Sequence, residues 1–152
     1  VQPAGGHEGA AGLTIKESDL GHFTEAFKTA CGEIPPYTDD LYYDLDITQA
    51  MLGETGKEQK QYAPYGCGNP KPVYRVKLEV KPEGLRITKD GKHLTYWEPG
   101  FKFIGFGMAD KYRKLLEAHG YPKSLDCVGQ ITEDWYNERL SYQLQLIDFD
   151  FC

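Results

Sequence analysis

With 152 residues, 40% of them hydrophobic and 13% aromatic, the chain can pack one medium domain, or a small domain plus a piece of another, which excludes a disordered segment. No apolar run reaches the length of a spanning helix and no signal-peptide pattern opens the chain, so Cys31, Cys67, Cys127 and Cys152, which lack CxxC or metal-type spacing, read as reduced thiols of a cytoplasmic protein. The net charge of −6 argues against a nucleic-acid partner until it is divided: residues 71–123 carry 12 Lys and Arg against 6 Asp and Glu, and acidic side chains dominate both flanks, so the middle can present one positive face.

The opening Val1-Gln2-Pro3 runs straight into a glycine cluster and looks like an internal cut, not a natural N-terminus. Gly5-Gly6-His7-Glu8-Gly9-Ala10-Ala11-Gly12 holds four glycines and two alanines. Small residues let another backbone or a phosphate approach free N–H groups closely, and His7 can donate to an anionic oxygen. A tight turn with an exposed histidine fits the same residues. Leu13-Thr14-Ile15 reads as a short strand. Ser18 or Asp19 is an N-cap for a helix from Leu20 to about Ala30, with Phe23, Ala26, Phe27 and Ala30 on one face and Gly32 as the stop.

Ile34-Pro35-Pro36 is a linker. Leu41 to Ile47 alternates as a strand with Leu41, Tyr43, Leu45 and Ile47 on one side, and Thr48 caps a short helix ending near Gly53. Asp39, Asp40, Asp44 and Asp46 do not match the spacing of a calcium loop, so no metal is expected there. From Pro64 to Pro72, two glycines and three prolines exclude helix and interior strand and leave a rigid, irregular loop.

Beyond that loop the pattern is almost all strand. Tyr74, Val76, Leu78 and Val80 alternate with Arg75, Lys77, Glu79 and Lys81, and Leu85 and Ile87 continue the apolar side past a Pro82–Gly84 turn. Asp90-Gly91 signals a hairpin, followed by strands at Leu94–Trp97 and Phe101–Phe106. A helix over Ala109–His119 ends at Gly120, and Leu125–Ile131 and Leu140–Phe149 close the chain as strands.

Three strands, a helix and two strands is the order of a five-stranded OB-fold barrel. The expected class is mainly β with flanking helices, the barrel preceded by a short strand–helix remnant of an α/β domain. OB-folds bind oligonucleotides on the face of their second and third strands. The candidate contacts on and near that face are Arg75, Lys77, Arg86, Lys89, Lys92, His93, Trp97 and Lys102, cations for phosphate and an aromatic for base stacking. Packing is the alternative role for Trp97 and Trp135.

The first glycine cluster resembles the GGHxxAAG signature of DHH-family phosphoesterases. Tyr65-Gly66-Cys67-Gly68-Asn69-Pro70-Lys71-Pro72-Val73-Tyr74 resembles the PFGxGNPxPxF stretch leading into the OB domain of RecJ single-strand-specific exonucleases, and Gly91-Lys92-His93-Leu94 and Tyr142-Gln143-Leu144-Gln145-Leu146 are similar to parts of that domain. The likeness spans nearly the whole chain. It implies residues 1–33 as the end of a DHH-associated substrate-binding domain and residues 38–152 as an OB domain entered through the loop 62–73.

That resemblance also implies a parent enzyme that degrades single-stranded DNA 5′→3′ in repair and recombination, with Mn²⁺ or Mg²⁺ held by Asp and His motifs absent from this sequence. The chain itself would bind no metal, hold no catalytic residue and be inactive alone, while Gly5, Gly6 and His7 hold substrate phosphate. Single-stranded DNA is the implied partner, with a single-strand-binding protein or a helicase as a further one. An OB domain used for protein docking, or a DHH phosphoesterase acting on short oligonucleotides, are the other readings.

Overall fold

Glycine and alanine leave so little bulk near the start of the chain that two strands lie close together. β1 (Ala4–His7) and β2 (Ala10–Leu13) pair antiparallel, with Gly5 opposite Gly12, Gly6 opposite Ala11 and His7 opposite Ala10. A side chain at Gly6 would overlap the Ala10 carbonyl and Ala11, so this approach demands glycine. The small-residue cluster therefore supplies two paired strands, and the strand expected at Leu13–Ile15 begins earlier and ends at Leu13.

A 3-10 turn at Glu17–Asp19 precedes α1 (Leu20–Gly32). Neither Ser18 nor Asp19 caps the helix: the tightened turn sends the Asp19 amide to the Lys16 carbonyl at 2.9 Å, and the Ser18 hydroxyl donates to Asp19. Phe23 and Phe27 stack one helical turn apart, with centroids at 5.7 Å. These elements come from a computed structural model, which describes residues 4–7, 10–32 and 40–152, without the side chains of His7 and Pro82. The linker expected at Ile34-Pro35-Pro36 lies outside the described residues. The chain divides into two compact units, residues 1–40 and 41–152.

In the second unit, β3 (Leu45–Asp46) pairs parallel with β4 (Tyr74–Glu79). The strand expected over Leu41–Ile47 shrinks to these two residues, and of its supposed apolar side only Ile47 is buried. Just before Leu45, Asp44 is tied to Val73 twice: its backbone amide donates to the Val73 carbonyl and its carboxylate accepts the Val73 amide, both at 2.8 Å.

The helix expected to stop at Gly53 instead starts there in earnest: a 3-10 turn at Gln49–Met51 leads into α2 (Leu52–Glu58) and a second 3-10 turn at Gln59–Tyr62. Interior glycine costs a helix only about 1 kcal/mol relative to alanine, which burial of Leu52 offsets. Gly56 faces the Tyr142 ring so closely that any Cβ would overlap it. Gly56→Val should destabilise the unit by about 1–3 kcal/mol through overpacking, read as a lowered melting temperature.

The proline–glycine loop is rigid for reasons visible in its hydrogen bonds. Gly66 and Asn69 exchange backbone bonds of 2.9 and 3.1 Å, and the Asn69 amide donates to the Tyr62 and Pro64 carbonyls at 2.9 Å each. It connects the α2 segment, which packs on β8 and β9, to β4 within one unit.

β4 buries Tyr74, Val76 and Leu78 and turns Arg75, Lys77 and Glu79 outward. A 3-10 turn at Pro82–Gly84 interrupts it before β5 (Leu85–Ile87). β6 (Leu94–Glu98), β7 (Phe101–Gly105), α3 (Ala109–His119), β8 (Ser124–Tyr136) and β9 (Arg139–Phe151) follow. The hydrogen-bonded order is β3-β4-β8-β9-β7-β6-β5. β3 is an added edge strand; of the six others the outermost two, β4 and β5, are halves of one broken strand, so the sheet curls and closes the five-stranded OB barrel. β7 pairs with β9 in parallel, and the other barrel pairs are antiparallel.

Val76, Leu78, Leu94, Leu125, Cys127, Ile131 and Leu144 form a core that excludes water entirely. Burial pushes the Cys127 thiol well above its ordinary pKa, as expected of an inert packing thiol. β8 and β9 run 13 residues each, longer than their alternation predicts, and turn through Asn137 (φ 46°) and Glu138 (φ 62°). A two-residue turn with positive φ at both positions suits a twisted hairpin, but Asn-Glu lacks the glycine that makes such turns readable. A register shift at Val128/Gly129 bends the pair, and a side chain at Gly129 would overlap the Gln145 backbone.

Candidate nucleic-acid interface

Strand alternation sorts β5, β6 and β7 into two faces. Leu85, Leu94, Tyr96, Phe101 and Phe103 point into the core, so Arg86, Thr95, Trp97, Lys102 and Ile104 point out. The register aligns Arg86 with Thr95, Thr95 with Ile104, and Trp97 with Lys102. Trp97 is 65% exposed and stands between two grooves of about 340 Å³ each. Arg86, Lys81 and Glu83 line one of them, and Lys102, Phe101, Ser141 and Tyr142 the other. The indole thus presents a large aromatic face open to stacking.

The β5–β6 loop adds two cations. Asp90 accepts from the Thr88 hydroxyl and from the Lys92 amide at 3.2 Å, and the Thr88 amide reaches the His93 carbonyl at 3.0 Å. The Thr88 hydroxyl, then the Lys92 amide, hold the Asp90 carboxyl below its ordinary pKa. Gly91, at φ 76°, lets the chain turn and leaves Lys89 and Lys92 in solvent. His93 is half-buried. Its Nδ1 accepts the Gly107 amide at 2.9 Å, its Nε2 lies 3.6 Å from Asp90, and its ring meets Phe106 edge-on at 5.2 Å. It braces the loop against the segment after β7.

The remaining candidates are placed elsewhere or already partnered. Arg75 and Lys77 sit on β4, with β8, β9 and β7 between β4 and β6 in the hydrogen-bonded order. Arg75 grips Asp126 through Nε at 2.8 and 3.1 Å and donates to the Tyr43 hydroxyl at 3.1 Å. Lys102 pairs with Asp134 and donates to the Ser141 hydroxyl at 2.8 Å. Gly5, Gly6 and His7 belong to β1 of the other unit.

The expected positive face is therefore smaller than the charge blocks imply. Asp126, Asp134 and Asp148 of the acidic C-terminal segment pair with Arg75, Lys102 and Lys111, because β8 and β9 lie beside the elements that carry those cations. Lys81 pairs with Glu98 at 3.1 Å. Among the described residues, Lys77, Arg86, Lys89 and Lys92 make no ion pair. Sequence reasoning missed Ser141 and Tyr142 as groove residues. They reach Trp97 only through β7–β9 pairing, which no local signal announces.

Arg75 holds the Asp126 carboxyl below its ordinary pKa, chiefly by hydrogen bonding. A depressed carboxyl stabilises the fold above its unfolded pKa of about 3.9 and loses that contribution as pH falls through the folded value. The acid limb of a pH–melting curve should thus be shallower in Asp126→Asn than in the unaltered chain.

Among the described residues no three His, Cys, Asp or Glu side chains are grouped to hold a metal ion. Nor is any helix there long and apolar enough to cross a membrane. The face suits binding: stacking on Trp97, with phosphate attraction from Arg86, Lys89 and Lys92.

Comparison with known proteins bears on this face. The family model described as the RecJ OB domain matches residues 43–148. The single-stranded-DNA-specific exonuclease RecJ of Thermus thermophilus is 26% identical over 145 residues, covering 95% of this chain and 20% of its own. Crystal structures of RecJ from the same organism in complex with Mn²⁺ and with Mg²⁺ superimpose with TM-scores of 0.76 and 0.74, at 21% and 23% identity, over 97% of this chain and 22% of theirs. The chain thus spans about a fifth of the length of the relatives it matches.

Proposed function

This chain belongs to the RecJ OB domain family, and we propose on that basis that it serves as the strand-gripping part of a RecJ-like 5′→3′ single-stranded-DNA exonuclease acting in cytoplasmic DNA repair and recombination. The observation that carries this reading is Trp97, exposed on the outer face of β6 between two grooves, one of them lined by the unpaired cation Arg86; the β5–β6 loop adds Lys89 and Lys92. Bases stack on the indole without regard to sequence, and the cations take neighbouring phosphates. Hydrolysis belongs to a parent enzyme that uses Mn²⁺ or Mg²⁺. Among the described residues no three His, Cys, Asp or Glu side chains are grouped to hold either ion, and catalysis is not assigned to this chain alone. Gly5, Gly6 and His7 serve that parent by holding substrate phosphate.

Fluorescence anisotropy with labelled oligo-dT tests the reading. Three phosphate contacts predict that log affinity falls against log salt with a slope of about −2. Reversing Lys89 and Lys92 to Glu should flatten that slope. Absence of binding at low salt would remove the proposed role.

A second reading rests on the end of the β8–β9 hairpin, where Trp135 and Tyr136 are 63% and 73% exposed. Such a patch suits protein docking, toward a single-strand-binding protein or a helicase. A docking partner retained by a chain that has lost oligo-dT binding would favour it.

A further inference from the structure

β7 and β9 are paired at only two positions, Phe103 opposite Leu144 and Ile104 opposite Gln145. Before those positions no ladder pair joins the strands, and Phe101, Lys102, Ser141 and Tyr142, with Leu52 and Gly53 of α2, line the cleft of about 340 Å³ beside Trp97. The charges around it are already matched. Lys102 is held by Asp134 and Ser141, and Glu98 by Lys81 and the Gln49 amide. A phosphate would find no uncommitted cation in the cleft. A flat, uncharged ring would find aromatic and aliphatic walls in Trp97, Tyr142 and Leu52. It would also find the third N–H of Lys102, since only two of its three donors are engaged.

We infer that this cleft takes a single nucleobase of the bound strand, turned out of the run that stacks on Trp97 and set between β7 and β9. The inference rests on the strand-binding reading above and adds to it a defined seat for one base. The seat favours a base edge that accepts a hydrogen bond from Lys102, and thymine, with its two carbonyl oxygens, is the probe of choice.

Gly53 offers a way to close the cleft without touching Trp97 or Lys102. It lines the cleft from a helix, and a Cβ built there meets nothing within 4 Å, so larger side chains enter open space. The full chain would be titrated with labelled dT12 and with an abasic sugar-phosphate chain of the same length. The unaltered chain and Gly53→Ala should prefer dT12. Gly53→Phe should lose about tenfold in dT12 affinity and keep its affinity for the abasic chain, and Gly53→Leu should lose less. Melting curves establish that each variant folds, and the smaller Gly53→Leu keeps the test decisive if the phenylalanine distorts α2. Unchanged dT12 affinity in folded Gly53→Phe and Gly53→Leu would overturn the cleft while leaving the Trp97 reading intact. No dT12 binding by the unaltered chain would overturn both.

Discussion

Trp97→Ala is expected to weaken oligo-dT binding by roughly 5- to 150-fold, the worth of about 1–3 kcal/mol for one base–aromatic stack. The same change should leave the melting temperature nearly unaltered. Trp97 is 65% exposed, so its removal opens no cavity, and its backbone bonds to Lys102 of β7 do not depend on the ring. Titration by anisotropy beside a melt separates the two effects. Equal affinities for the two proteins would show that the indole is not a stacking platform.

The neighbouring residue should behave in the opposite way. Tyr96 is 1% exposed and stacks on Phe103 with centroids 5.6 Å apart, and Gly84 is packed so tightly against its ring that a Cβ there would overlap it. Its hydroxyl accepts the Lys81 amide at 3.3 Å, just before the turn that joins the two halves of the broken strand. Tyr96→Ala should destabilise the barrel by about 3–5 kcal/mol, a large part of the stability of an ordinary domain. Chemical denaturation measures it, and the binding lost should track the unfolded fraction. A loss below about 1 kcal/mol would mean that Phe103 and Leu85 collapse into the space. Two adjacent residues on opposite faces of β6 thus separate binding from folding.

Much of this architecture is legible in the sequence because strands and α3 announce themselves through short-range patterns. Tyr74–Leu78 and Leu94–Tyr96 alternate on a two-residue period, and Gly120 stops α3 at its expected place with φ 74°. The failures lie where a distant partner overrides a local signal. Gly53 reads as a helix stop, but Leu52 packs in the barrel core and α2 runs on to Glu58, with Gly56 leaving space for the Tyr142 ring. Leu41, Tyr43 and Leu45 alternate like a buried strand yet remain exposed: the strand expected over them is reduced to β3, at the edge of the sheet and paired with β4 alone.

The site follows the same division. That Trp97 and Arg86 share an outward face is a matter of strand parity. The neutralisation of Arg75 by Asp126 and of Lys102 by Asp134 joins residues 51 and 32 positions apart, and charge blocks read along the chain cannot show it.

The Pro82–Gly84 turn has a mechanical consequence. The other seams of the barrel are backbone ladders, from two paired positions between β7 and β9 to twelve between β8 and β9. Between β4 and β5 no ladder is present among the described residues, and the closure there is the covalent chain itself, bent through three residues. Such a seam widens by small rotations and returns without losing its register. It lies beside the groove formed by Lys81, Arg86 and Trp97, so the wall on that side is the compliant one. A change of width along that line gives up no ladder bond.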